Sequence, residues 1–192
     1  MTVLTMLTMK HGDDYDRQEM ERLLLRIAAG EQESLAELYH LARTAVYTMA
    51  LSVLKNAEDA QDTVQDTFVK IWDNAHLYGA QGSPMAWILT VTRNLAYTKL
   101  RQSAKYTQLD EAQWTAIPAD TAGIPAEERH LLQDALGMLG EQERQIVILH
   151  AVSGLKHREI AQVLRLPLAT TLSKYHRAMK KLRKFMEGDD PL

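Results

Sequence analysis

Cysteine is missing from this chain of 192 residues, and aromatic residues and long apolar runs are scarce. Without cysteine there is no disulfide, no thiolate zinc site and no cysteine nucleophile, a composition that fits a reducing cytoplasm. No apolar stretch approaches the roughly 18 residues of a membrane span, so we expect no membrane insertion. Residues 1–9 lack a basic start and a cleavage site. We therefore expect a disordered tail there, not a signal peptide.

The short motifs of common enzymes are also missing. The sequence has no His-Glu-x-x-His, no phosphate-binding glycine loop and no Gly-x-Ser-x-Gly. One enzyme alternative is a helical di-iron carboxylate protein, because Glu37-x-x-His40 and Glu127-x-x-His130 are both present. Such a site needs two more glutamates on facing helices, and the second predicted helix offers no convincing partner for Glu127. We expect no enzymatic activity, no metal and no cofactor.

Charge is distributed in blocks, although the net charge is only −3 and the mean hydropathy of −0.28 is that of a soluble protein. Residues 13–73 carry thirteen acids and six bases, whereas residues 74–108 carry no acid. Residues 155–184 carry nine lysines or arginines and one acid. These blocks indicate one acidic surface for a basic partner and one basic surface for nucleic acid.

Apolar residues recur at helical spacing through the N-terminal half. A first helix contains residues 20–27 and ends at Gly30, a favourable C-cap residue. A second helix is predicted from Ser34 to Leu54. Its inward residues are Leu35, Leu38, Leu41, Ala42, Ala45, Val46 and Met49.

Two further helices have clear start signals. Asn56 is an N-cap candidate for a third helix that reaches about Trp72, and residues 73–82 are predicted to form a polar loop. Ser83-Pro84 predicts the start of a fourth helix, because serine caps free backbone N–H groups and proline suits the first helical position. The fourth helix runs to about Arg101.

Helical spacing breaks down over residues 103–124, which mix polar residues with glycine and proline. We interpret this stretch as a flexible linker. Trp114 within it could dock onto a domain or a partner. Four helices follow, at about 126–138, 141–152, 157–164 and 169–186. The predicted fold class is all-α, with two small helical domains joined by the linker.

The last of these helices form the clearest pattern in the chain, a short helix, a turn and a basic helix. Pro167 ends the first of the pair, because proline has no N–H and disfavours helix at the preceding residue. A helix-turn-helix places its second helix in the major groove of DNA, with the first turns reaching bases or phosphates. Those turns contain Thr170, Ser173, Lys174 and Arg177. A solvated basic helix end is the alternative.

The third predicted helix has an acidic face. Asp59, Asp62 and Asp66 follow at i, i+3 and i+7, so they share one side of the helix. Phe68 and Trp72 add apolar bulk nearby. The face could bind a basic partner, or it could be a solvated helix start where the helix dipole favours carboxylates. The residue pattern alone balances these two interpretations evenly.

The fourth predicted helix combines polar, aromatic and basic side chains. Asn94, Tyr97 and Arg101 fall at i, i+3 and i+7, with Arg93 alongside. An amide and an aromatic ring among bases suit hydrogen bonding to, and stacking on, an unpaired nucleic-acid base. Simple packing is the alternative for Tyr97. Trp87, near the helix start, is expected in the core.

Residues 19–186 as a whole resemble an extracytoplasmic-function (ECF) sigma factor, the two-domain promoter-recognition subunit of bacterial RNA polymerase. No single motif is specific, but the order and spacing of four stretches carry the resemblance. They are 56–72 (NAEDAQDTVQDTFVKIW), 87–96 (WILTVTRNLA) with the following Leu-Arg at 100–101, 136–148, and 154–182.

The resemblance implies a division of the chain and a set of partners. Residues 1–18 would be a disordered tail and 19–102 a region 2-like domain that binds polymerase and recognises and melts the −10 element. Residues 103–124 would be the linker, and 125–187 a region 4-like helix-turn-helix domain that reads the −35 element. The implied partners are core RNA polymerase, promoter DNA and an anti-sigma factor, all in the cytoplasm.

The resemblance also implies three sets of site residues. The polymerase-binding residues would be Asp59, Asp62, Gln65, Asp66, Phe68 and Trp72. The residues at the −10 element would be Arg93, Asn94, Tyr97, Lys99 and Arg101. The residues at the −35 element would be Thr170, Ser173, Lys174, Arg177 and Lys181.

Six positions depart from the family pattern, and two of them are Gly140, where a proline is common, and Ala169, where a glycine is frequent. Thr98 stands where an aspartate is usual, and Lys156 where serine or threonine would cap a helix. Arg165 replaces a frequent glycine, and Leu172 a polar residue on the reading helix, so the usual −35 contacts are affected. An alternative function is a helix-turn-helix regulator that binds duplex DNA without polymerase. The negative net charge predicts weak binding of the free protein to DNA.

Overall fold

The computed structural model describes residues 15–79, 82–103 and 134–187, and these contain helices and no strand. The N-terminal half holds α1 (Tyr15–Ala28), α2 (Gln32–Leu54), α3 (Ala57–Asn74) and α4 (Pro84–Ser103), with a 3-10 turn at Ala75–Leu77. The C-terminal half holds α5 (Glu141–Ser153), α6 (His157–Leu164) and α7 (Leu168–Glu187), preceded by a helical turn at residues 134–137. The all-α prediction is confirmed.

The predicted start signals work as caps. The Asn56 side chain accepts a hydrogen bond from the Asp59 N–H at 3.0 Å, and the Ser83 hydroxyl accepts one from the Ala86 N–H at 3.3 Å. Each bond satisfies a backbone donor that the first helical turn leaves without an intrahelical partner. Gly30 follows α1 with φ +89°, a left-handed conformation that glycine adopts without strain.

Two predictions for the N-terminal half were wrong. Residues 73–82 do not begin as a loop, because α3 continues to Asn74 and the 3-10 turn follows it directly. Leu41 was expected inward, but its side chain is 42% exposed, while Leu38 and Ala42 are fully buried. The inward stripe of α2 is therefore narrower at this turn than the apolar spacing suggested.

Helix α2 is central to the N-terminal half, where it packs against α1, α3 and α4. The apolar core between these helices includes the fully buried Leu23, Leu24, Leu38, Val46, Ile71, Ile88 and Leu89. The C-terminal half has a cluster of its own, formed by Ala135, Leu136, Leu139, Val147, Ile148, Ala151, Ala178 and Leu182.

A third set of apolar residues joins the two halves. Ile146 and Leu149 on α5, with Ile160, Val163 and Leu164 on α6, belong to the same buried cluster as the core of α1–α4. Helix α5 packs against both α2 and α7, and α6 packs against α4. As a result α5 is buried continuously from Glu143 to Leu149.

Several predictions fall outside the described residues. They concern the tail up to residue 14, most of the linker with Trp114, residues 126–133 of the first C-terminal helix, and the pair Glu127 and His130 of the di-iron alternative.

Candidate functional site

The outward side of α3 carries the acidic residues that the sequence singled out. Asp62, Gln65 and Asp66 are exposed, and Asp59 is half-buried. Trp72, two turns further along, is 38% exposed and Val69 is 62% exposed. We call this set of residues (59, 62, 65, 66, 69 and 72) the α3 face. Such a combination of carboxylates and exposed apolar groups suits a partner that is basic and partly apolar.

Phe68 does not lie on the α3 face. Its side chain is 6% exposed and its ring centroid stands 4.9 Å from that of Tyr39 on α2. The ring therefore helps to fix α3 on α2 and has little surface to offer a partner. Val69 was missed by the sequence reasoning, although its position three residues from both Asp66 and Trp72 places it on their side of the helix.

Lys99 on α4 connects the two helices. Its ammonium lies 2.9 Å from the Asp59 carboxylate and 3.0 Å from that of Asp62. Partial burial disfavours the charged amine, but the hydrogen bonds that the ammonium donates to both carboxylates outweigh this and raise the pKa of Lys99. A residue predicted at the −10 element thus pairs with two residues predicted to bind polymerase. Sequence spacing across two helices gives no signal for such a pair.

A second surface lies on α4, formed by Arg93, Asn94, Tyr97 and Arg101, and we call it the α4 face. The Arg93 guanidinium carbon stands 4.6 Å from the centroid of the Tyr97 ring, a cation–π geometry. The Asn94 and Arg101 side chains are exposed, and the Tyr97 side chain is half-buried. An exposed amide beside an aromatic ring held by a cation is chemically suited to an unpaired base. Trp87 lies apart from this surface, half-buried against Tyr78.

The helix-turn-helix is formed by α6 and α7. The N-cap residue of α6 is Lys156, and in place of a side-chain cap the Glu159 carboxylate accepts a hydrogen bond from the Lys156 N–H at 2.8 Å. The turn passes through Arg165, whose φ of +55° is left-handed and disfavoured for residues with a Cβ. The departures at these two positions therefore leave the motif intact.

The first turns of α7 present most of the predicted reading residues to solvent. Ser173 and Arg177 are exposed, and Thr170 and Lys174 are half-buried. Leu172 is 36% exposed, so it is not a core residue. The opposite side of the helix buries Thr171, Ala178 and Leu182. This division fits a helix that packs on one side and is free for a ligand on the other.

Lys181 differs from the other basic residues of α7, because its ammonium lies 2.7 Å from the Glu143 carboxylate on α5. That carboxylate is largely buried, with its side chain 12% exposed, and also accepts the Gly140 N–H at 3.3 Å. Burial raises the pKa of Glu143, but the bonds from Lys181 and Gly140 outweigh it and the net pKa is lowered. Lys181 thus anchors α7 to α5.

A cluster of rings fills the junction of α5, α6 and α7. The His150 and His157 ring centroids lie 4.7 Å apart, and Tyr175 packs against both at 5.1 and 4.5 Å. Burial lowers the pKa of His157, and the neighbouring His150 and His176 lower it further. Nδ1 of His150 is 2.9 Å from the Leu155 carbonyl. The surroundings of His157 therefore favour its neutral ring.

The parts of the chain that the structure describes contain neither a metal-binding cluster nor a membrane-spanning helix. No group of three or more His, Asp or Glu side chains there could hold a metal ion, and no helix there is long and apolar enough to cross a membrane. Glu37, from the di-iron alternative, is half exposed and lies 3.9 Å from Arg22.

Two family models match this sequence. Residues 38–106 match Sigma-70 region 2, and residues 129–182 match Sigma-70 region 4. The first match covers the helices with the α3 and α4 faces, and the second covers the helix-turn-helix.

Curated relatives are similar over nearly their whole length. The ECF RNA polymerase sigma factor SigK of Mycobacterium ulcerans is 30% identical over 178 residues, which cover 88% of this chain and 95% of the relative. SigK of Mycobacterium tuberculosis H37Rv is 27% identical over 177 residues, covering 88% of this chain and 94% of the relative.

Solved structures share the fold. The sigma factor RpoE from Bartonella quintana, solved in complex with the anti-sigma factor NepR, gives a TM-score of 0.66 at 24% identity, covering 81% of this chain and 98% of that one. CnrH, solved in complex with the cytosolic domain of CnrY, gives a TM-score of 0.64 at 23% identity, covering 90% of this chain and 99% of that one.

Proposed function

Because this chain belongs to the ECF family of RNA polymerase sigma factors, we propose a specific role for each of its surfaces in transcription initiation. The protein binds core RNA polymerase and promoter DNA and directs promoter-specific initiation. We assign polymerase docking and −10 recognition to residues 19–102 and −35 recognition to residues 125–187, with residues 103–124 as the linker. The chemistry of nucleotide addition belongs to polymerase, so the chain itself catalyses nothing and works where polymerase and the chromosome are, in the cytoplasm.

The α3 face is the proposed docking surface for polymerase. Its support is the coincidence of exposed carboxylates at residues 62 and 66 with the exposed apolar Val69 and Trp72 on one side of one helix. Asp59 and Gln65 extend the surface, and Phe68 contributes from behind by packing α3 on α2. Charged groups of this kind accelerate association with a basic partner, and the apolar groups add contact area.

The α4 face is the proposed reader of the −10 element. Asn94 can pair with the edge of an unstacked base, and Tyr97 can stack on its face. Arg93 holds the ring, and Arg101 can reach phosphate. Lys99 contributes positive charge, but its present partners are Asp59 and Asp62.

The first turns of α7 are the proposed reader of the −35 element. Thr170, Ser173, Lys174 and Arg177 are the candidates for base and phosphate contacts in the major groove. Lys181 is the exception, because its bond to Glu143 makes it a positioning residue for α7. Specificity would come from base contacts and most of the affinity from phosphates.

An anti-sigma factor is a further proposed partner. The support is family membership and the fold shared with RpoE, whose structure was solved with the anti-sigma factor NepR. The alternative of a regulator that binds duplex DNA alone is not favoured, because the N-terminal half matches the Sigma-70 region 2 model.

Run-off transcription with core polymerase and a promoter pool tests the proposal. We expect transcripts that depend on the protein and share two upstream motifs.

Asp62→Asn/Asp66→Asn should lower polymerase affinity, with Glu33→Gln, an exposed acid on α2, as the control. Arg177→Ala should weaken promoters that rely on the −35 motif, with the exposed Arg183→Ala as the control. Tight duplex binding by the protein alone, without initiation, would contradict the sigma function.

A further inference from the structure

The outward side of α7 begins with a small apolar surface on a strongly basic helix. Leu168 and Leu172 are 41% and 36% exposed, and Ala169 beside them is exposed as well. We call these three residues the α7 patch. They are neighbours on the helix surface, because residues three and four apart lie on the same side of a helix. From Leu168 to Met186 the helix contains six lysines or arginines and no acid.

The α7 patch is not part of the packed side of the helix. Thr171, Ala178 and Leu182 are buried on the other side, and within the described residues neither leucine of the patch belongs to a buried apolar cluster. A single exposed leucine is ordinary in a soluble protein. Two leucines and an alanine that are neighbours on one helix form a continuous apolar surface. Because this surface faces solvent, it is available to a ligand.

The patch lies among the residues that we assign to the −35 element. Ser173 directly follows Leu172 and is exposed, and Arg177, one turn beyond Ser173, is exposed too. His176 is exposed four residues after Leu172, so Leu172 lies between the rest of the patch and polar side chains. The first turns of the second helix in a helix-turn-helix are the part that reaches base edges. A ligand of Leu172 would therefore also be within reach of hydrogen-bonding and cationic groups.

The chemistry of the patch matches one feature of duplex DNA. A leucine side chain neither donates nor accepts a hydrogen bond, so contact with the polar edge of guanine, adenine or cytosine would desolvate that edge without compensation. In the major groove, the C5-methyl group of thymine is the apolar feature that distinguishes one base from the others. The cations around the patch attract the phosphates that flank the groove. Duplex DNA with thymine at the contacted position satisfies both requirements.

We propose that Leu172 reads a thymine of the −35 element through its C5-methyl group, while Leu168 and Ala169 exclude water from the contact. This inference rests on the sigma function proposed above and adds a specificity-determining residue to it. The polar residue that the family pattern places at position 172 could form a hydrogen bond with a base, whereas leucine cannot. The promoters of this protein should therefore contain a thymine that is selected by apolar contact.

Removal of single methyl groups from promoter DNA tests this contact. The probe is the strongest promoter from the run-off pool, with deoxyuridine replacing each thymine of its −35 element in turn, on either strand. Uracil keeps the hydrogen-bonding groups of thymine and lacks only the methyl. We expect one replacement to weaken binding by the complex of core polymerase and this protein about fourfold, the loss of one methyl-sized apolar contact. Unchanged binding at every position, or a −35 element without thymine, would overturn the proposal.

Leu172→Ala assigns the methyl contact to Leu172. In complex with core polymerase, this variant should bind thymine and uracil equally well at the sensitive position. Leu25→Ala is the matched control, because it truncates a leucine that is 53% exposed on α1, outside the helix-turn-helix. Its ratio of thymine to uracil affinity should equal that of the wild type. A wild-type ratio in Leu172→Ala would overturn the proposal, and weaker binding with that ratio would place polymerase, not DNA, against the leucine.

A change of base preference guards against a variant that is merely damaged. Leu172→Arg introduces a group that pairs with O6 and N7 of guanine, so its preference for guanine over thymine at the sensitive position should exceed that of the wild type about tenfold. A Leu172→Arg protein that is folded by circular dichroism and still prefers thymine would refute the contact.

A methylated cytosine separates the methyl group from the rest of the base. The wild-type complex should bind 5-methylcytosine at the sensitive position more tightly than cytosine, because the methyl group is restored, and equal binding would overturn the proposal. If the wild-type complex transcribes no promoter, the proposed sigma function itself fails. If it transcribes but does not respond to the methyl groups, only the role of Leu172 fails.

Discussion

Lys99 pairs with two carboxylates of the proposed polymerase-binding surface and is itself a proposed contact of the −10 element. Its substitution should therefore affect polymerase binding and transcription in different ways. Lys99→Met frees Asp59 and Asp62, and polymerase affinity should rise about two- to fivefold, which corresponds to the 0.4–1 kcal/mol typical of exposed ion pairs. Run-off transcription should nevertheless fall if Lys99 contacts DNA. Fluorescence titration against core polymerase checks the first effect. Weaker polymerase binding would show that Lys99 is needed to position the α3 carboxylates.

His157 should make the C-terminal half sensitive to mild acid. Burial lowers the pKa of His157 below its ordinary value of about 6.5. The folded state therefore favours the neutral ring, so this contribution to stability is complete above about pH 6.5 and is lost as the pH falls towards the folded pKa. Neighbouring His150, His176 and Tyr175 face the ring.

Urea unfolding at pH 7.5 and pH 5.5, followed by circular dichroism, measures this effect. The wild type should lose more stability between these pH values than His157→Phe. His76→Gln, at an exposed position in the 3-10 turn, should behave like the wild type. Identical pH dependence in all three proteins would contradict the role of His157.

Helix α3 depends on its N-cap for the placement of the docking carboxylates. Asn56→Ala removes the bond to the Asp59 N–H and should cost about 1 kcal/mol of unfolding free energy. Because Asp59 and Asp62 lie in the first two turns, fraying there should also weaken polymerase binding. Asn56→Ser keeps a capping oxygen and should restore both properties. Normal polymerase affinity in a measurably destabilised Asn56→Ala protein would show that polymerase binding does not depend on the N-cap of α3.

Helix α7 is held to α5 by the bond between Lys181 and Glu143. Lys181→Met should destabilise the protein by about 1 kcal/mol at pH 7, with no base-specific effect on promoter choice. The pKa of Glu143 is lowered in the folded state, so this contribution is present above about pH 4.3 and is lost as the pH falls through the folded pKa. The exposed Lys184→Met makes the same charge change and should alter stability little. Equal unfolding midpoints for the two variants would refute the anchor.

The helices and their caps followed from the sequence because they depend on local chemistry. Asn56 and Ser83 cap helices as predicted, and apolar spacing identified most inward residues of α2. Leu41 was wrongly predicted to be buried, because its burial depends on which other helices contact that turn of α2. The periodic spacing of apolar residues carries no information about those contacts. Phe68 was predicted among the polymerase-binding residues for a similar reason. Its ring is buried by contact with Tyr39 on another helix, and spacing along one helix does not show such a contact.

Contacts between distant parts of the chain were beyond the sequence analysis. Lys99 pairs with carboxylates 37 and 40 residues away, Lys181 with a carboxylate 38 residues away, and Arg165 contacts Asn94 at a separation of 71 residues. Each residue looked like a free basic group on its own helix. The charge blocks predicted surfaces of opposite charge. They did not predict that some of the charged residues on these surfaces form ion pairs with one another in the folded chain.

Packing of the two halves on one apolar cluster has a consequence for unfolding. Elements that share a core lose each other's buried contacts together, so they unfold in one cooperative step. The tryptophans at positions 72, 87 and 114 leave residues 134–187 without one. In a Trp114→Phe background, fluorescence therefore reports on the N-terminal half, whereas circular dichroism reports on all helices.

We expect the urea transitions from these two probes to coincide in the Trp114→Phe protein, because the shared apolar cluster couples both halves. Adding Val163→Ala/Leu164→Ala, which truncates two α6 side chains of the shared apolar cluster, should separate them, with the circular dichroism curve broadening as the C-terminal half unfolds independently. Adding Leu24→Ala instead, a truncation within the N-terminal core on α1, should keep the curves together, even if the N-terminal half becomes less stable. Separate transitions in the background protein would mean that the halves unfold independently in solution, and the shared apolar cluster would then contribute little to their stability.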